Sequence, residues 1–182
     1  TGTLKLGVPP LGSQLLTTAL FDYHQQLPDI ELAFMEVGSR GIEQALLNNE
    51  LDVGVLLQPF DEQIFNSIEL CNYPLMVLLR RDATWATRKK INLEELQHQS
   101  FLMFPENFSL NSIILDACKQ HGFYPTIACR TSQWHLLADM VLQRMGIALL
   151  PQYYTDMLDP TLFAAVPLEK PNIQWHLVMA WK

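Results

Sequence analysis

The feature that most constrains this chain is an unbroken run of strand, helix, strand, helix, strand across residues 4–57, because alternation of that kind builds a parallel sheet with crossover helices. Residues 4–8 are a short apolar run closed by Pro9 and Pro10, which cannot donate ladder hydrogen bonds and so end a strand. Beyond Gly12 and Ser13, apolar residues at Leu15, Leu16, Ala19, Leu20, Tyr23 and Leu27 trace the stripe of a helix lying on a sheet, with Ser13 placed as its N-cap. Pro28 breaks that helix, and residues 30–37 alternate apolar and polar side chains as a strand with one wetter face does. Gly38 and Ser39 open a second helix carrying Ile42, Ala45 and Leu46. Residues 51–57 are nearly all apolar apart from Asp52 and Gly54, the mark of a strand buried on both faces.

Right-handed crossovers set the C-terminal ends of parallel strands, and the starts of the helices that follow, on one edge of the sheet, where ligands bind. The loops Pro9, Pro10, Leu11, Gly12 and Ser13, then Gly38 and Ser39, then Gln58 and Pro59 are therefore expected to converge into a site.

The pattern repeats downstream. Residues 74–79 are apolar, and Asn92 with Glu95 makes a capping box for a short helix containing Leu93 and Leu96. Residues 101–104 read as a strand ending at the turn Pro105, Glu106, Asn107, Phe108, Ser109, and a helix with Ile113, Ile114, Ala117 and Cys118 runs to Gly122. A strand at 127–131 leads to a helix capped by Ser132 and carrying Leu136, Leu137, Met140 and Val141, with Gly146 as its C-terminal stop and a strand at 147–150 beyond. Two further strand-like runs, 162–168 and 173–181, flank Glu169, Lys170 and Pro171, and their simplest closure is onto the first unit. The expected fold is thus α/β: two Rossmann-like lobes, 1–73 with 158–182 and 74–157, joined by a two-strand hinge whose crossings fall near 72–73 and 156–159. Such a hinge lets lobes close on a ligand.

Composition narrows the function. With 12 basic against 19 acidic residues the net charge is −7, which disfavours a phosphate backbone as this segment's partner, so any contact with DNA is expected from another segment. Arg80, Arg81, Arg88, Lys89 and Lys90 crowd into one polar stretch, read as a solvated loop. Cys71, Cys118 and Cys129 have neither CxxC nor metal spacing, and an odd number cannot pair completely within one chain, which fits a reducing cytoplasm. No stretch reaches the length of a membrane span, and the start lacks a secretion signal. Beginning at Thr1 and moving straight into a strand, the chain is expected to be a piece of a longer protein.

Enzyme motifs are lacking: there is no GxGxxG, GxxxxGK[ST], GxSxG or HExxH. Ser132, His135 and Asp139 have a spacing that suggests a triad, but a cap plus two ordinary helix positions explains it. His24, His98, His121 and His176 are scattered without ligand spacing, so no metal, no other cofactor and no catalytic residue is expected.

At this point the chain resembles the effector-binding domain of LysR-type transcriptional regulators along its whole length. The resemblance rests on GTLKLGVPPLGSQLL, LPDIELAFMEVGSRGIEQALLNNELDVGV, YPLMVLLRRD, INLEELQHQSFLMF, ACKQHGFYP and, above all, VLQRMGIALLPQYY, taken in order and spacing. It implies a fold similar to type 2 periplasmic binding proteins, a small effector held between lobes, a homodimer or tetramer through this domain, and DNA contact only through an N-terminal winged helix-turn-helix absent from this chain, with no membrane partner. By matching position it implies an effector cavity lined by Pro10, Leu11, Gly12, Ser13, Gly38, Ser39, Gln58 and Pro59, and by Phe104, Pro105, Asn107, Phe108, Ser109, Ser132 and Gln133. The chain stops after Trp181 and Lys182 where the family often continues into a final helix.

The four serines at helix starts, Ser13, Ser39, Ser109 and Ser132, read either as N-caps or, together with open backbone N–H groups and helix dipoles, as a site for an accepting or negative group such as a small carboxylate. Arg40 and Arg130 are candidate cationic partners, and Phe108 and Trp134 a candidate apolar wall. The competing reading is a solute-binding protein serving a transporter, which uses the same clamp but needs export.

Overall fold

A computed structural model describes residues 2–182. In chain order the elements are β1 (Gly2–Val8), α1 (Thr17–Gln26), β2 (Ile30–Glu36), α2 (Ser39–Leu47), β3 (Val53–Leu57), β4 (Asn66–Arg80), β5 (Ser100–Met103), α3 (Ser109–Gln120), β6 (Thr126–Arg130), α4 (Trp134–Leu142), β7 (Ile147–Pro151), α5 (Gln152–Thr155), β8 (Phe163–Pro167) and β9 (Gln174–Trp181). They fall into two compact units. Unit 1 holds the described residues up to Cys71 together with His176–Lys182, and unit 2 is Asn72–Trp175.

In unit 1 the strands follow the order β2, β1, β3, β9. β1 runs parallel to both β2 and β3, and β9 closes antiparallel on β3. Helix α2 crosses from β2 to β3 and buries Ile42, Ala45 and Leu46 in a core shared with Leu51, Leu56, Phe65, Val178 and Ala180. The two faces of α2 are what an amphipathic sequence demands; α1 is different, since it buries no residue of its own and the stripe read as its apolar face delivers only Leu16, which precedes it, to the core.

Unit 2 has the order β8, β4, β7, β5, β6. β5 is parallel to β6 and β7, while β4 is antiparallel to β7 and β8. This corrects one expectation: residues 162–168 do not return to the first unit. β8 pairs with the second half of β4, Met76 opposite Pro167 through Arg80 opposite Phe163, so the chain re-enters unit 1 inside β9 and not near 156–159. The physical reason is that an apolar strand's own pattern states that it is buried but not beside which neighbour.

The basic stretch at 80–90 is also more than a wet loop. It includes a 3-10 turn, Thr84–Thr87, and four of its five charged side chains, Arg80, Arg81, Arg88 and Lys90, bond to neighbours. Arg81 donates to the carbonyls of Pro160 and Phe163 at 2.9 and 2.7 Å, Arg88 grips Glu95 at 2.7 Å, and Lys90 meets Glu169 at 2.8 Å. The capping-box helix forms as a 3-10 turn, Leu93–Leu96, with the Glu95 carboxylate accepting from the Asn92 backbone N–H at 2.8 Å.

Candidate functional site

In unit 1 the parallel strands β1, β2 and β3 end on one edge, and two bonds draw their elbows together. The Val37 N–H donates to the Val8 carbonyl at 3.1 Å, and the Leu57 N–H, the last of β3, donates to Ser39 Oγ at 3.2 Å. Gly12 turns the chain with φ 114°, a left-handed value that favours glycine, into a 3-10 turn, Ser13–Leu16, before α1 starts. Leu11, Gly12 and Ser39 are buried, Pro10, Ser13, Gly38 and Gln58 are half-buried, and Pro59 is exposed after a cis peptide bond. The Gln58 side chain donates to Glu62 at 3.1 Å. Arg40 is exposed on the first turn of α2.

Unit 2 builds a second such edge where β5 and β6 end. The Thr131 N–H donates to the Met103 carbonyl at 3.0 Å. Arg130, at the end of β6, reaches across to the turn at 104–109: its guanidinium donates to the Phe104 carbonyl and to Asn111 Oδ1, each at 3.4 Å, and lies 3.9 Å from Glu106. These are long contacts for a half-buried guanidinium, which forms charge-assisted bonds at 2.7–2.9 Å when well paired. Asn107, Ser132 and Gln133 are exposed, and Pro105 and Ser109 half-buried.

Two expectations are overturned here. None of the four serines caps a helix: the capping positions are taken by Gly12, Gly38, Phe108 and Gln133, none of which makes a side-chain capping bond. Ser39 is instead turned inward to β3, and just before α4 it is Thr131 whose Oγ1 accepts from the Gln133 N–H, at 3.2 Å. The aromatic wall is likewise core. Phe104 and Phe108 stack at 5.1 Å with rings 7° from parallel and are 2% and 6% exposed, and Trp134 is buried against Tyr154 at 4.9 Å. An aromatic flanking a helix start serves packing whenever the turn folds back on the sheet, and these do.

Sequence reasoning missed Asn111, which is 1% exposed and holds Arg130 from inside α3, and Thr131. The available signal was an asparagine two residues into a helix among apolar neighbours, a position that needs a partner when buried.

Ser39→Ala is expected to destabilise the protein by about 1–3 kcal/mol, since it strands the buried Leu57 N–H. Ser132→Ala, at an exposed position, should stay within about 0.5 kcal/mol of the parent; denaturant unfolding of both variants reads the difference.

Two of the thiols are shifted by burial. Burial pushes the Cys118 thiol up to about 11, and burial is also the main cause raising Cys71. Among the described residues there is no group of three or more His, Cys, Asp or Glu able to hold a metal, and no helix long and apolar enough to cross a membrane.

With this geometry in view, the similarities to known proteins are informative. The family model for the LysR substrate binding domain matches residues 1–182. An HTH-type transcriptional regulator of Bacillus subtilis, YwbI, is 34% identical over 182 residues, covering all of this chain and 60% of the regulator, so the chain spans about three fifths of that relative's length. Among solved structures, the reduced form of the OxyR regulatory domain from Pseudomonas aeruginosa aligns with a TM-score of 0.81 at 24% identity over 100% of this chain and 89% of that one. The Synechocystis CcmR regulatory domain in complex with 2-PG aligns with a TM-score of 0.85 at 20% identity, over 99% and 87%.

Proposed function

Because this chain belongs to the LysR substrate-binding domain family of transcriptional regulators, and shares the type 2 periplasmic-binding-protein-like fold of its regulatory domains, we propose that its elbow edges bind a small effector through a carboxylate. The family is one of sensors rather than enzymes, and the transporter reading falls with it. What carries the carboxylate is a single observation: α2, α3 and α4 all begin on elbow edges after Gly38, Phe108 and Gln133, none of which makes a side-chain capping bond, so the positive helix ends stay open to an acceptor. Arg130 supports the same reading, since a ligand carboxylate offers its guanidinium the short bonds that Phe104, Asn111 and Glu106 do not.

The effector acts as a switch: it binds one arrangement of the domain more tightly than another, with about 1–3 kcal/mol of coupling to a DNA-binding segment outside this chain. The buried Cys118 thiol is given no part in it. One structural relative is described as a reduced form, but here the Cys118 thiol at about 11 stays protonated at neutral pH. A dimer through this domain, in the cytoplasm, completes the proposal; Phe21 at 61%, Phe34 at 52% and Leu27 at 46% exposure are large apolar side chains of unit 1 that a second copy would cover.

The test is a thermal-shift and calorimetry panel of small mono- and dicarboxylates beside their amides and alcohols, run with the parent and Arg130→Met, while sedimentation counts copies. Carboxylates should raise the melting temperature, and Arg130→Met should weaken them about tenfold or more. Stabilisation by neutral or cationic compounds alone removes the carboxylate reading, equal affinity in Arg130→Met removes Arg130, and a monomer at every concentration removes the dimer.

A further inference from the structure

A cavity of about 470 Å³ opens in unit 2 at the end of the sheet away from the elbows, where β5 and β7 begin and β4 ends. Leu79, Val141 and Ile147 give it apolar walls, Trp85 a broad flat one, and Arg80 and Arg144 a cationic rim. The two arginines are not equivalent. Arg80 is held, donating from Nε and Nη2 to the two oxygens of Asp82 at 2.9 and 3.0 Å and from Nη1 to the Leu142 carbonyl. Arg144 is free by comparison: its side chain is 74% exposed, and its one ion pair is a 3.7 Å approach to the same Asp82, already taken by Arg80. Two guanidinium groups share one carboxylate, so the rim carries a net positive charge on a chain whose total is −7.

The backbone at Arg144 makes the residue type informative. Three helices end in the same way, with the second residue past the last turn bonded back across it: the Glu50 N–H to Ala45, the Phe123 N–H to Cys118, and the Met145 N–H to Met140. This closure needs a left-handed residue, which glycine or asparagine supplies with least strain. Asn49 at φ 59° and Gly122 at φ 84° obey that rule, while α4 places Arg144 there at φ 62°. An arginine gains nothing for the turn and costs stability in it. Its side chain is what the position keeps, and that side chain stands on the cavity rim.

We propose that unit 2 carries a second small-molecule site in this cavity, separate from the elbow edges, that takes a planar aromatic carboxylate: the ring lies between Trp85 and the walls of Leu79, Val141 and Ile147, and Arg144 takes the carboxylate. The volume suits a ligand of one or two rings. Asp82 is then the competitor that the ligand displaces from Arg144.

The experiment titrates 2-naphthoate, with 2-naphthalenemethanol as its neutral counterpart, into the isotope-labelled chain and follows backbone amide shifts. Perturbations should map to Trp85, Gln99 and residues 144–147, and the alcohol should bind about tenfold more weakly. Arg144→Asn should weaken 2-naphthoate about tenfold while leaving the melting temperature unchanged or higher, because asparagine relieves the turn; loss of binding therefore cannot be laid to misfolding. Asp82→Asn should tighten binding about threefold. The proposal is overturned if the shifts are confined to 38–39, 105–109 and 132–133, if the alcohol binds as well as the acid, or if both variants bind like the parent. The first of these outcomes leaves the effector reading of the elbow edges intact.

Discussion

Gly146→Ala is expected to cost about 3 kcal/mol and to lower the melting temperature by roughly 6–12 °C for a chain of this size. The β-carbon would sit 2.5 Å from the Ser100 carbonyl oxygen, 3.0 Å from its carbonyl carbon and 3.3 Å from Leu102 Cγ. Two of those three atoms are backbone, so no rotamer change clears the space. Relief requires β7 to move away from β5, whose pairing begins one residue on, at Phe101 opposite Ile147. Gly41→Ala is the control. Its β-carbon would meet Val37 side-chain atoms at 3.1 and 3.4 Å, and at an exposed position within α2 alanine gains up to about 1 kcal/mol in helix propensity. Calorimetry should show the first variant falling well below the parent and the second matching or exceeding it. Hydrogen exchange should locate the loss in β5, β6 and β7 while β1 and β3 keep their protection. Melting temperatures that coincide for the two variants would show that β5 yields to a methyl group and would remove the argument.

That tight joint was only partly legible in the sequence. Gly146 was read as a helix stop, yet the stop is at Arg144, and glycine is needed for the strand beside it. Strands whose burial repeats along the chain were readable, since β3 and β7 are nearly continuous apolar runs and parallel strands covered on both faces must be. The sequence pattern places this strand at residues 74–79 although β4 spans Asn66–Arg80, because its first four residues are exposed and Pro74 suggests a break. Which neighbour β8 takes was not written in its own residues at all. The elbows were legible because a strand end followed by a helix start fixes them topologically, and the short bonds from Val37 to Val8 and from Thr131 to Met103 reflect that constraint. What each side chain does there was not legible: Ser39 sits in the expected place and faces the opposite way, a difference decided by where β3 leaves its last N–H.

Trp175→Ala should be the most damaging of the changes considered, at about 3–5 kcal/mol. The indole is 1% exposed and meets Tyr154 at 5.6 Å and Tyr73 and Tyr153 at 6.4 Å, while Tyr154 packs on against Trp134. Position makes the loss consequential beyond its size. The chain enters unit 2 at Asn72 and leaves it after Trp175, so Tyr73 and Trp175 fasten both ends of the unit's chain to one aromatic cluster. Alanine leaves a cavity that rigid neighbouring rings cannot fill, whereas Trp175→Phe retains a ring and should lose less than half as much. Denaturant unfolding measures the two costs, and a rise in melting temperature on adding a stabilising carboxylate measures what remains of binding. The expected result is that Trp175→Phe keeps that rise, since neither elbow edge includes the indole. If Trp175→Phe were as stable as the parent and yet lost the rise, the cluster would be part of how the domain responds to its effector, and packing alone would no longer account for a tryptophan at that point in the chain.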